Sequence, residues 1–505
     1  MKTHETLIAL LITLLFAAGM VLQTNPNPVL AADHADVAAL MVEAEKAPTL
    51  RSNLQELTDQ IGGRVPGTPA MDRAVQWGME KFKAAGADSV HTEEFTIEHG
   101  WAEGGTRVVG HTPQGGEFSA RAVSFGWGPA SELSRVAVVD VGAGSREDFA
   151  RVASQPGGIK GKAVLVHSET MKTWDDLFAE YMRTPVIVEE ALKGGASVAL
   201  VQSTRPQDLL YRHTDSDHGE IEKIPMLLVA REDAARMGRL LAEKKELSVD
   251  VSIPNKVSGP IHTSNVIAEI RGSEKPEEYV VLGAHLDSWE LGTGALDNGC
   301  NAALVVEALR AIKASGMKPR RSIRFILFSG EEEGLLGSWA YVRQHRAHMD
   351  RYVAAVVFDS GTGRVTGFSL GGRKDVVKAA AEIVAPLKAW DAATLTTDAE
   401  SGTDHMDFLL EGVPTFVANQ EEANYLPNYH ASSDTFDKVD FPNLQRHVAE
   451  AAAVAFRLAD APERVGPRLS HKEIEQTLKD TGLDVQMKGF GQWPSWENGT
   501  RGRSE

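Results

Sequence analysis

Apolar positions in the second half of the chain follow two periods, one typical of buried strands and one typical of helices. The short apolar runs cover residues 279–284, 322–328, 352–358 and 414–418. Apolar residues at helical spacing cover 298–315, 335–344, 375–387, 404–410 and 443–458. Alternation of strands and helices is typical of an α/β fold. We therefore predict a mostly parallel central sheet flanked by helices.

The pattern changes between residues 105 and 258, where short apolar runs are separated by glycine-rich turns. The strands predicted there are 136–141, 162–167, 196–202 and 224–229, with helices at 186–193 and 231–243. We predict a smaller α/β or β-rich domain inserted at 105–258 into a main domain formed by 33–104 and 259–463. The first part of the main domain is predicted to be helical over 33–60, with a break at Pro48, and over 70–85, before a strand at 90–97.

Both ends of the chain differ from the region between them. A largely apolar run from Leu7 to Leu22 has the length of a secretory signal rather than of a membrane span. We predict a signal peptide at 1–32, a mature chain without a stable membrane span, and a secreted or periplasmic location. An uncleaved membrane anchor is the alternative. Residues 464–505 are predicted to be a polar C-terminal extension with a helix at 472–479 and poorly ordered last ten residues.

The net charge restricts the kinds of molecule that the protein can bind, and the cysteine content restricts the disulfides that it can form. The formal net charge of -18 argues against a nucleic-acid partner, because nucleic-acid binding needs a basic surface. Cys300 is the single cysteine, so the chain forms no internal disulfide, and we predict a small buried residue there. The sequence leaves the oligomeric state open, and an oligomer is compatible with it.

Candidate metal ligands follow the first strand of the alternating region. His285 closes the apolar run at 280–284, and Asp287 lies two positions further, on the same side of an extended chain. A carboxylate placed there can hold the ring nitrogen of His285 that is not on a metal. Asp297 follows a glycine-rich loop, where the backbone can bend sharply. We interpret this stretch as half of a two-zinc hydrolase site.

Further candidates stand beyond the ends of the next predicted strands. Glu331 and Glu332 come shortly after the second strand. Asp359 comes directly after the third, and His430 follows a loop after the fourth. Binding sites in open α/β sheets form beyond the carboxyl ends of the strands. Four separate elements would therefore deliver His, Asp and Glu side chains to one edge.

These residue types are those that zinc prefers, and two zinc ions about 3.5 to 4 Å apart can share a carboxylate. We assign Asp297 as that bridge, with His285 and Asp359 on one Zn²⁺ and Glu332 and His430 on the other. A water or hydroxide between the ions would be the nucleophile, because bound zinc lowers the pKa of water to roughly 7. A carboxylate beside a ligand but free itself suits the general base, and Glu331 meets that condition.

Five motifs resemble the co-catalytic zinc exopeptidases, a family that includes aminopeptidases, carboxypeptidase Q and glutamate carboxypeptidase-type enzymes. The motifs are His285-Leu-Asp-Ser-Trp289, Ala295-Leu-Asp-Asn298, Glu331-Glu-Glu-Gly-Leu-Leu-Gly-Ser338, Phe358-Asp-Ser360 and Tyr429-His-Ala-Ser-Ser-Asp-Thr435. The resemblance implies the same five ligands and the same base. It also implies that the insert is a protease-associated domain, and His285-Leu-Asp-Ser-Trp289 leans toward the carboxypeptidase Q branch.

The activity that the resemblance implies is zinc-dependent hydrolysis of short peptides by an exopeptidase with two Zn²⁺ per chain. It is either an aminopeptidase or a carboxypeptidase Q-like dipeptidase, and the sequence does not decide which end of the peptide is held. The catalytic residues would be Glu331, Asp287, which orients His285, and Tyr429, as donor to the tetrahedral oxyanion. Two alternatives are a non-catalytic receptor or binding protein on the same fold and a single-zinc cyclase relative.

Two loops outside these motifs also carry polar candidates. Ser401-Gly-Thr-Asp-His405 resembles a family loop that lines the substrate cleft. The densest His and Asp group of the insert consists of His213, Asp215, Asp217 and His218. We predict that this second group lies in a solvated loop without a functional role.

Overall fold

The computed structural model describes residues 28–215 and 219–504. The predicted signal segment at 1–32 lies outside the described residues except for its last positions, where the first helix begins. Asp217 and His218 also lie outside them. No helix in the described part of the chain is both long enough and apolar enough to cross a membrane.

The helices and strands account for most of the described chain. The helices are α1 Pro28–Lys46, α2 Leu50–Gln55, α3 Pro69–Ala84, α4 Arg146–Ala153, α5 Trp174–Gly194, α6 Arg231–Ala242, α7 Cys300–Ser315, α8 Leu336–His345, α9 Val377–Ile383, α10 His405–Leu410, α11 Tyr425–Asn428, α12 Phe441–Asp460, α13 His471–Thr481, α14 Leu483–Gly489 and α15 Trp493–Glu497. The strands are β1 Ser89–Ile97, β2 Trp101–Ala102, β3 Arg107–His111, β4 Glu117–Ala120, β5 Ala122–Ser124, β6 Ser131–Asp140, β7 Ala163–Val166, β8 Val198–Gln202, β9 Met226–Val229, β10 Ser248–Ile253, β11 Lys256–Val257, β12 Ile261–Ile270, β13 Lys275–His285, β14 Arg321–Phe328, β15 Tyr352–Val357, β16 Val365–Ser369, β17 Thr394–Thr396 and β18 Thr415–Gln420.

The main sheet has eight strands in the order β1-β12-β14-β13-β15-β18-β16-β17. Its centre, from β14 through β13 and β15 to β18, is parallel. The pairs β1-β12, β12-β14 and β16-β18 are antiparallel. The predicted α/β fold is confirmed, and the strands that carry the candidate ligands form its parallel part. The carboxyl ends of those strands therefore lie at one edge.

Helices cover both faces of this sheet, as a parallel sheet requires. Val280 and Leu282 of β13 belong to the largest core cluster, together with residues of α1, α3, α7 and α12. Val281, on the opposite side of the strand, packs with Phe328, Tyr341 and Phe408, from β14, α8 and α10. The alternation along β13 follows the two-residue period of a strand. Cys300 is buried in the first cluster, as predicted.

The strands between residues 107 and 253 form a second eight-stranded sheet, ordered β4-β3-β10-β6-β7-β8-β9-β5. The chain enters this region after β1 and leaves it before β12, and those two strands pair with each other. The second sheet is therefore an excursion from an antiparallel pair at the edge of the main sheet. Strands β3, β4 and β5 were not predicted, because runs of five, four and three residues are too short to show a clear hydrophobic period.

Helix α5 is much longer than the helix predicted at 186–193. It begins after Thr173, whose side chain accepts from the amide of Asp176 in a reciprocal capping box. It continues through Pro185 and ends at Gly194, and the following Gly195 has a φ of 69°. A proline inside a helix removes one hydrogen bond, so the helix was predicted to begin after Pro185. That predicted start is wrong.

The expectation of poorly ordered last ten residues is wrong. The chain is helical at α15, and Arg501 beyond it is 1% exposed. Its guanidinium makes a buried ion pair with Asp407 of α10. The local composition is polar, but the partner lies far away along the chain. Arg501, a polar residue of this extension, therefore makes a buried contact.

Candidate metal centre

The predicted ligands come together at the carboxyl edge of the parallel strands. His285 is the last residue of β13, Glu331 and Glu332 follow β14, and Asp359 follows β15. Asp297 lies just before α7, and His430 lies just after α11. His285, Glu331, Glu332 and Asp359 thus lie at or shortly after strand ends, whereas longer loops bring Asp297 and His430 to the same edge.

The side chains form two groups that share Asp297. In the first, the distances from His285 Nε2 are 3.2 Å to Asp297 Oδ1 and 3.0 Å to Asp359 Oδ1. In the second, His430 Nε2 lies 3.3 Å from Asp297 Oδ2 and 2.8 Å from Glu332 Oε2. Within each group all ligand atoms lie within 4.8 Å of one another. Each oxygen of Asp297 thus faces a different histidine, as a bridging carboxylate would.

The unbalanced electrostatics of the site fit a resident cation. Asp297 Oδ2 and Glu332 Oε1 are buried without a hydrogen-bond partner in the described part of the chain. Burial raises the pKa of Glu332 to about 7, against the opposing effect of His430. Burial alone would lower the pKa of His430, but the facing Glu332 and Asp297 raise it to about 9. A cation bound by these oxygens and nitrogens would satisfy both kinds of ligand.

The ring nitrogens that face away from the two groups have main-chain acceptors. His285 Nδ1 lies 3.1 Å from the main-chain oxygen of Asp287. The carboxylate of Asp287 is 3.7 Å from the same nitrogen, which is longer than a hydrogen bond. The predicted contact between that carboxylate and His285 is therefore replaced by a carbonyl contact from the same residue. Asp287 Oδ2 instead accepts from the amide of Glu332 at 3.2 Å.

His430 is oriented by the insert. Its Nδ1 lies 2.8 Å from the main-chain oxygen of Arg212 and 3.1 Å from His213 Nδ1. The Arg212 amide donates to the main-chain oxygen of His430, and Tyr211 forms a bridge with Ala431. An acceptor on Nδ1 leaves Nε2 free for a metal. The φ angle of His430 is 57°, a strained value for a residue other than glycine. The pairing of Tyr211 and Arg212 with His430 and Ala431 helps to hold this conformation.

The prediction of a solvated loop at His213 is wrong. Its side chain is buried between the rings of Tyr181, Tyr211 and His430. Burial lowers the pKa of His213 to about 4, against the raising effect of Glu180. The apolar residues Leu209 and Leu210, four and three positions before it, were a local signal of burial.

Tyr429 and Glu331 lie beside the ligands. The Tyr429 ring stacks on His430 with 3.7 Å between centroids, and its hydroxyl is 2.9 Å from the Tyr181 hydroxyl. Glu331 Oε2 lies 3.9 Å from His285 Nε2. Burial raises the pKa of Glu331 well above its ordinary value; His285 opposes this and Asp359 adds to it. A carboxyl with a raised pKa is suited to accept and return a proton.

Arg64, a fully buried arginine in a loop before α3, was not predicted as a functional residue. Its guanidinium donates to the main-chain oxygens of Leu286, Thr293 and Gly294 at 2.5, 2.8 and 2.9 Å. These oxygens belong to the loop between His285 and Asp297. Burial lowers the pKa of Arg64 to about 10, and the nearby carboxylates oppose that effect. In the sequence Arg64 is one arginine in a Gly- and Pro-rich segment, which gives no indication that it is buried.

Asp434 orients Asp297, and replacing it is expected to weaken metal binding. Its Oδ1 accepts from the amide of Leu296 at 2.7 Å and its Oδ2 from the amide of Asp297 at 3.1 Å. Asp434→Ala should lower zinc affinity about 10- to 100-fold, as loss of such outer partners typically does. Competition with a chromophoric chelator would measure it. Asp437→Ala, on an exposed neighbouring carboxylate, is the control, and equal affinities of the two variants would contradict this role.

Comparisons with known proteins agree with the geometry. Residues 265–455 match the model of Peptidase family M28. The chain is 28% identical over 411 residues to carboxypeptidase Q of Mus musculus, covering 81% of this chain and 85% of that protein. It is 23% identical over 461 residues to aminopeptidase YwaD of Bacillus subtilis, covering 87% and 90%.

Solved structures show the same fold. A Peptidase M28 precursor from Shewanella amazonensis superposes with a TM-score of 0.78 at 25% identity, covering 87% of this chain and 99% of that one. A zinc aminopeptidase from Bacillus subtilis superposes with a TM-score of 0.64 at 18% identity, covering 84% and 98%. The second likeness concerns the fold alone. Residues 265–455 thus resemble the M28 peptidases, and the family match together with the peptidase relatives identifies the chain as a metallo-exopeptidase.

Proposed function

We propose that the protein is a secreted or periplasmic exopeptidase that hydrolyses short peptides with two zinc ions. The observation that carries this proposal is the pair of ligand groups that share Asp297, with Glu331 beside them. His285, Asp297 and Asp359 would hold one ion, and Asp297, Glu332 and His430 the other. The location rests on the apolar segment near the N-terminus.

The chain's own residues supply proton transfer and orientation. When bound, zinc ions polarise a peptide carbonyl and lower the pKa of water. Glu331 takes the proton of the attacking water and returns it to the nitrogen of the leaving amine. The Tyr429 hydroxyl donates to the oxygen on which negative charge develops, and the Tyr181 hydroxyl holds it in place. The Asp287 carboxylate accepts from the amide of Glu332 and so helps to fix the backbone of the turn that carries Glu332.

Local charge favours the free amino end of a peptide as the part that is held. The carboxyl groups around the centre are Asp287, Asp297, Glu331, Glu332, Glu333, Asp359, Asp404 and Asp434. Burial raises the pKa of several of them, among them Glu333 and Asp404, but whether ionised or protonated they offer oxygens that accept hydrogen bonds from an ammonium group. The nearby arginines of the insert are already paired, Arg212 with Glu103 and Arg205 with Glu180. We infer that a terminal ammonium is attracted and that, among the described residues, these two arginines are not free to hold a terminal carboxylate.

Peptides blocked at either end test this direction. The zinc-loaded protein should release the first residue of peptides with a free amino end, whether or not the carboxyl end is amidated. N-acetylated peptides should be cleaved at least tenfold more slowly. For a dipeptide the aminopeptidase and carboxypeptidase bonds are the same, so tripeptides are needed, with products identified by mass spectrometry. Release of the last residue from acetylated tripeptides would contradict the proposed direction.

Aromatic side chains beside the centre indicate the substrate class. Trp174, Phe178 and Tyr181 lie at helical spacing on one face of α5. Trp174 stacks on Tyr425 at 5.7 Å, and the Tyr181 hydroxyl reaches the Tyr429 hydroxyl. Trp174 and Phe178 are 46% and 41% exposed although they are large and apolar. Exposed apolar surface next to a reaction centre is typical of a binding site, so we propose peptides with apolar side chains.

Phe178→Ala is expected to lower kcat/KM for apolar peptides selectively. Loss of one aromatic contact of about 1 kcal/mol corresponds to about a fivefold effect. Peptides with Gly or Ala at the same position should change less than twofold. Leu192→Ala, at the other end of the same helix and 40% exposed, is the matched control. An equal loss for all substrates, or no loss, would contradict a side-chain site on α5.

A further inference from the structure

The turn that carries Glu331 and Glu332 has an unusual backbone. It joins β14 to α8, and Gly330, Gly334 and Leu335 have φ angles of 76°, 108° and 64°. Glycine adopts such angles readily, whereas Leu335 must be held there by its surroundings. The amides of Gly334 and Leu335 both donate to the main-chain oxygen of Glu331 at 2.9 Å. The direction of both carboxylates therefore depends on what fixes Leu335.

The surroundings of Leu335 come largely from the C-terminal tail, which we define as residues 464–504. The Leu335 side chain is 3% exposed and belongs to a separate apolar cluster. The other buried members of this cluster are Ala399, Met406, Leu409, Leu410, Ile474, Leu478, Leu483, Met487 and Trp496. The last five belong to the three helices of the tail. The tail thus forms much of the apolar support beneath the turn.

Arg501 connects the tail to the turn through a buried ion pair. Its guanidinium donates to both carboxylate oxygens of Asp407 at 2.8 and 2.9 Å, and both side chains are 1% exposed. Ser338 Oγ lies 3.0 Å from Asp407 Oδ2 and 3.1 Å from the main-chain oxygen of Leu335. The same guanidinium lies 3.4 Å from the main-chain oxygen of Gly334. Arg501 thus reaches Gly334 directly and Leu335 through Asp407 and Ser338.

Other contacts fasten the tail independently of Arg501. Arg346 donates to the main-chain oxygens of Gly499, Thr500 and Gly502 at 3.2, 3.3 and 2.8 Å. The Arg503 amide donates to the main-chain oxygen of Leu410 at 2.9 Å. A change of the Arg501 side chain therefore removes one link to the turn while the rest of the tail keeps its anchors.

We propose that Arg501 is a positioning residue for the Glu331–Glu332 turn. Its planar guanidinium holds Asp407 in a bidentate pair, and Asp407 with Ser338 fixes the backbone of Leu335. The turn then presents Glu332 to the second ligand group and Glu331 to the reacting water. This inference rests on the proposed function for the roles of the two glutamates, but the positioning itself concerns the chain alone. A residue of the tail thereby controls the geometry of the catalytic turn.

Arg501→Gln, Arg501→Lys and the control Arg503→Gln test the proposal with three readouts. Arg501→Gln should lower kcat and zinc affinity about 10- to 100-fold while KM changes less than threefold. Hydrogen exchange of the Leu335 and Leu336 amides in the metal-free protein should become faster. Arg501→Lys keeps the charge but not the bidentate geometry, so it should recover only part of each effect. Arg503→Gln should resemble the parent in all three.

A folded Arg501→Gln protein with parental exchange at Leu335 and parental zinc affinity would overturn the proposal. Should that variant fail to fold, Ser338→Ala removes the link nearest the turn with less disruption. It is expected to speed exchange at Leu335 and Leu336, and parental exchange there would equally overturn the proposal. If the parent proved to lack peptidase activity, the proposed function would fail. Zinc affinity and hydrogen exchange would still decide the role of Arg501.

Discussion

Replacing Glu331 with glutamine is expected to lower kcat by about 10²- to 10⁴-fold, the range that a general base contributes. The amide keeps the size of the side chain but cannot accept the proton of the attacking water. Glu331 belongs to neither ligand group, so zinc content should stay at the parental level. KM should change little, because the substrate is held by other groups.

Steady-state kinetics and metal analysis of the same preparation would separate these effects. Glu421→Gln makes the same chemical change at an exposed site away from the ligands and serves as the control. Parental turnover in Glu331→Gln would remove Glu331 as the base. Loss of zinc from that variant would instead make it a ligand, which the grouping of side chains does not predict.

Replacing Asp297 with alanine is expected to remove zinc from both groups and to abolish turnover. Asp297 is the one residue common to the two groups, and its oxygens face His285 and His430 separately. Its loss leaves each histidine with a single carboxylate partner from its group. Zinc sites in proteins usually have three protein ligands or more, so neither remaining pair should hold the ion tightly.

Asp359→Ala is the informative comparison, because Asp359 belongs to the first group only. That variant should keep the ion next to Glu332 and His430 and lose the other. Zinc content per chain after dialysis would measure both variants, with circular dichroism as the check on folding. Two tightly bound zinc ions in Asp297→Ala would contradict the bridging role.

The meeting of the candidate ligand side chains at one edge could be predicted because the sheet is parallel where they occur. Each apolar run ends one strand, and parallel strands expose their carboxyl ends at one edge. His285 and Asp359 therefore had to lie near each other once their strands were recognised as neighbours. The pairing of β13 with β15 in the structure is the physical basis of that expectation. Side-chain type then restricted the chemistry to a metal that binds nitrogen and oxygen.

The supporting residues could not be predicted in the same way. Arg64, His213 and Arg501 each act on a partner more than 90 residues away along the chain. Their positions depend on how the insert and the tail pack against the main sheet. Hydrophobic periodicity describes one element at a time and contains no information about which distant segment will face it. His213 was therefore predicted to be solvated and the segment of Arg501 to be poorly ordered, since their local surroundings are polar.

Residues of the insert and of the tail also line the site. The ligands all lie within residues 285–430, whereas Tyr181 comes from α5 of the insert and Phe490 from the tail. The two rings contact each other at 6.0 Å. The wall beside the centre is thus built from segments outside the alternating region, so its side-chain preference could not be inferred from the ligand motifs.

Anomalous diffraction at the zinc absorption edge, on crystals of zinc-loaded protein, would test the central claim most directly. We predict two peaks about 3.5 to 4 Å apart on either side of the Asp297 carboxylate. One should lie within bonding distance of His285 and Asp359, and the other of Glu332 and His430. A single peak, or peaks that avoid Asp297, would contradict the account of a shared two-zinc centre.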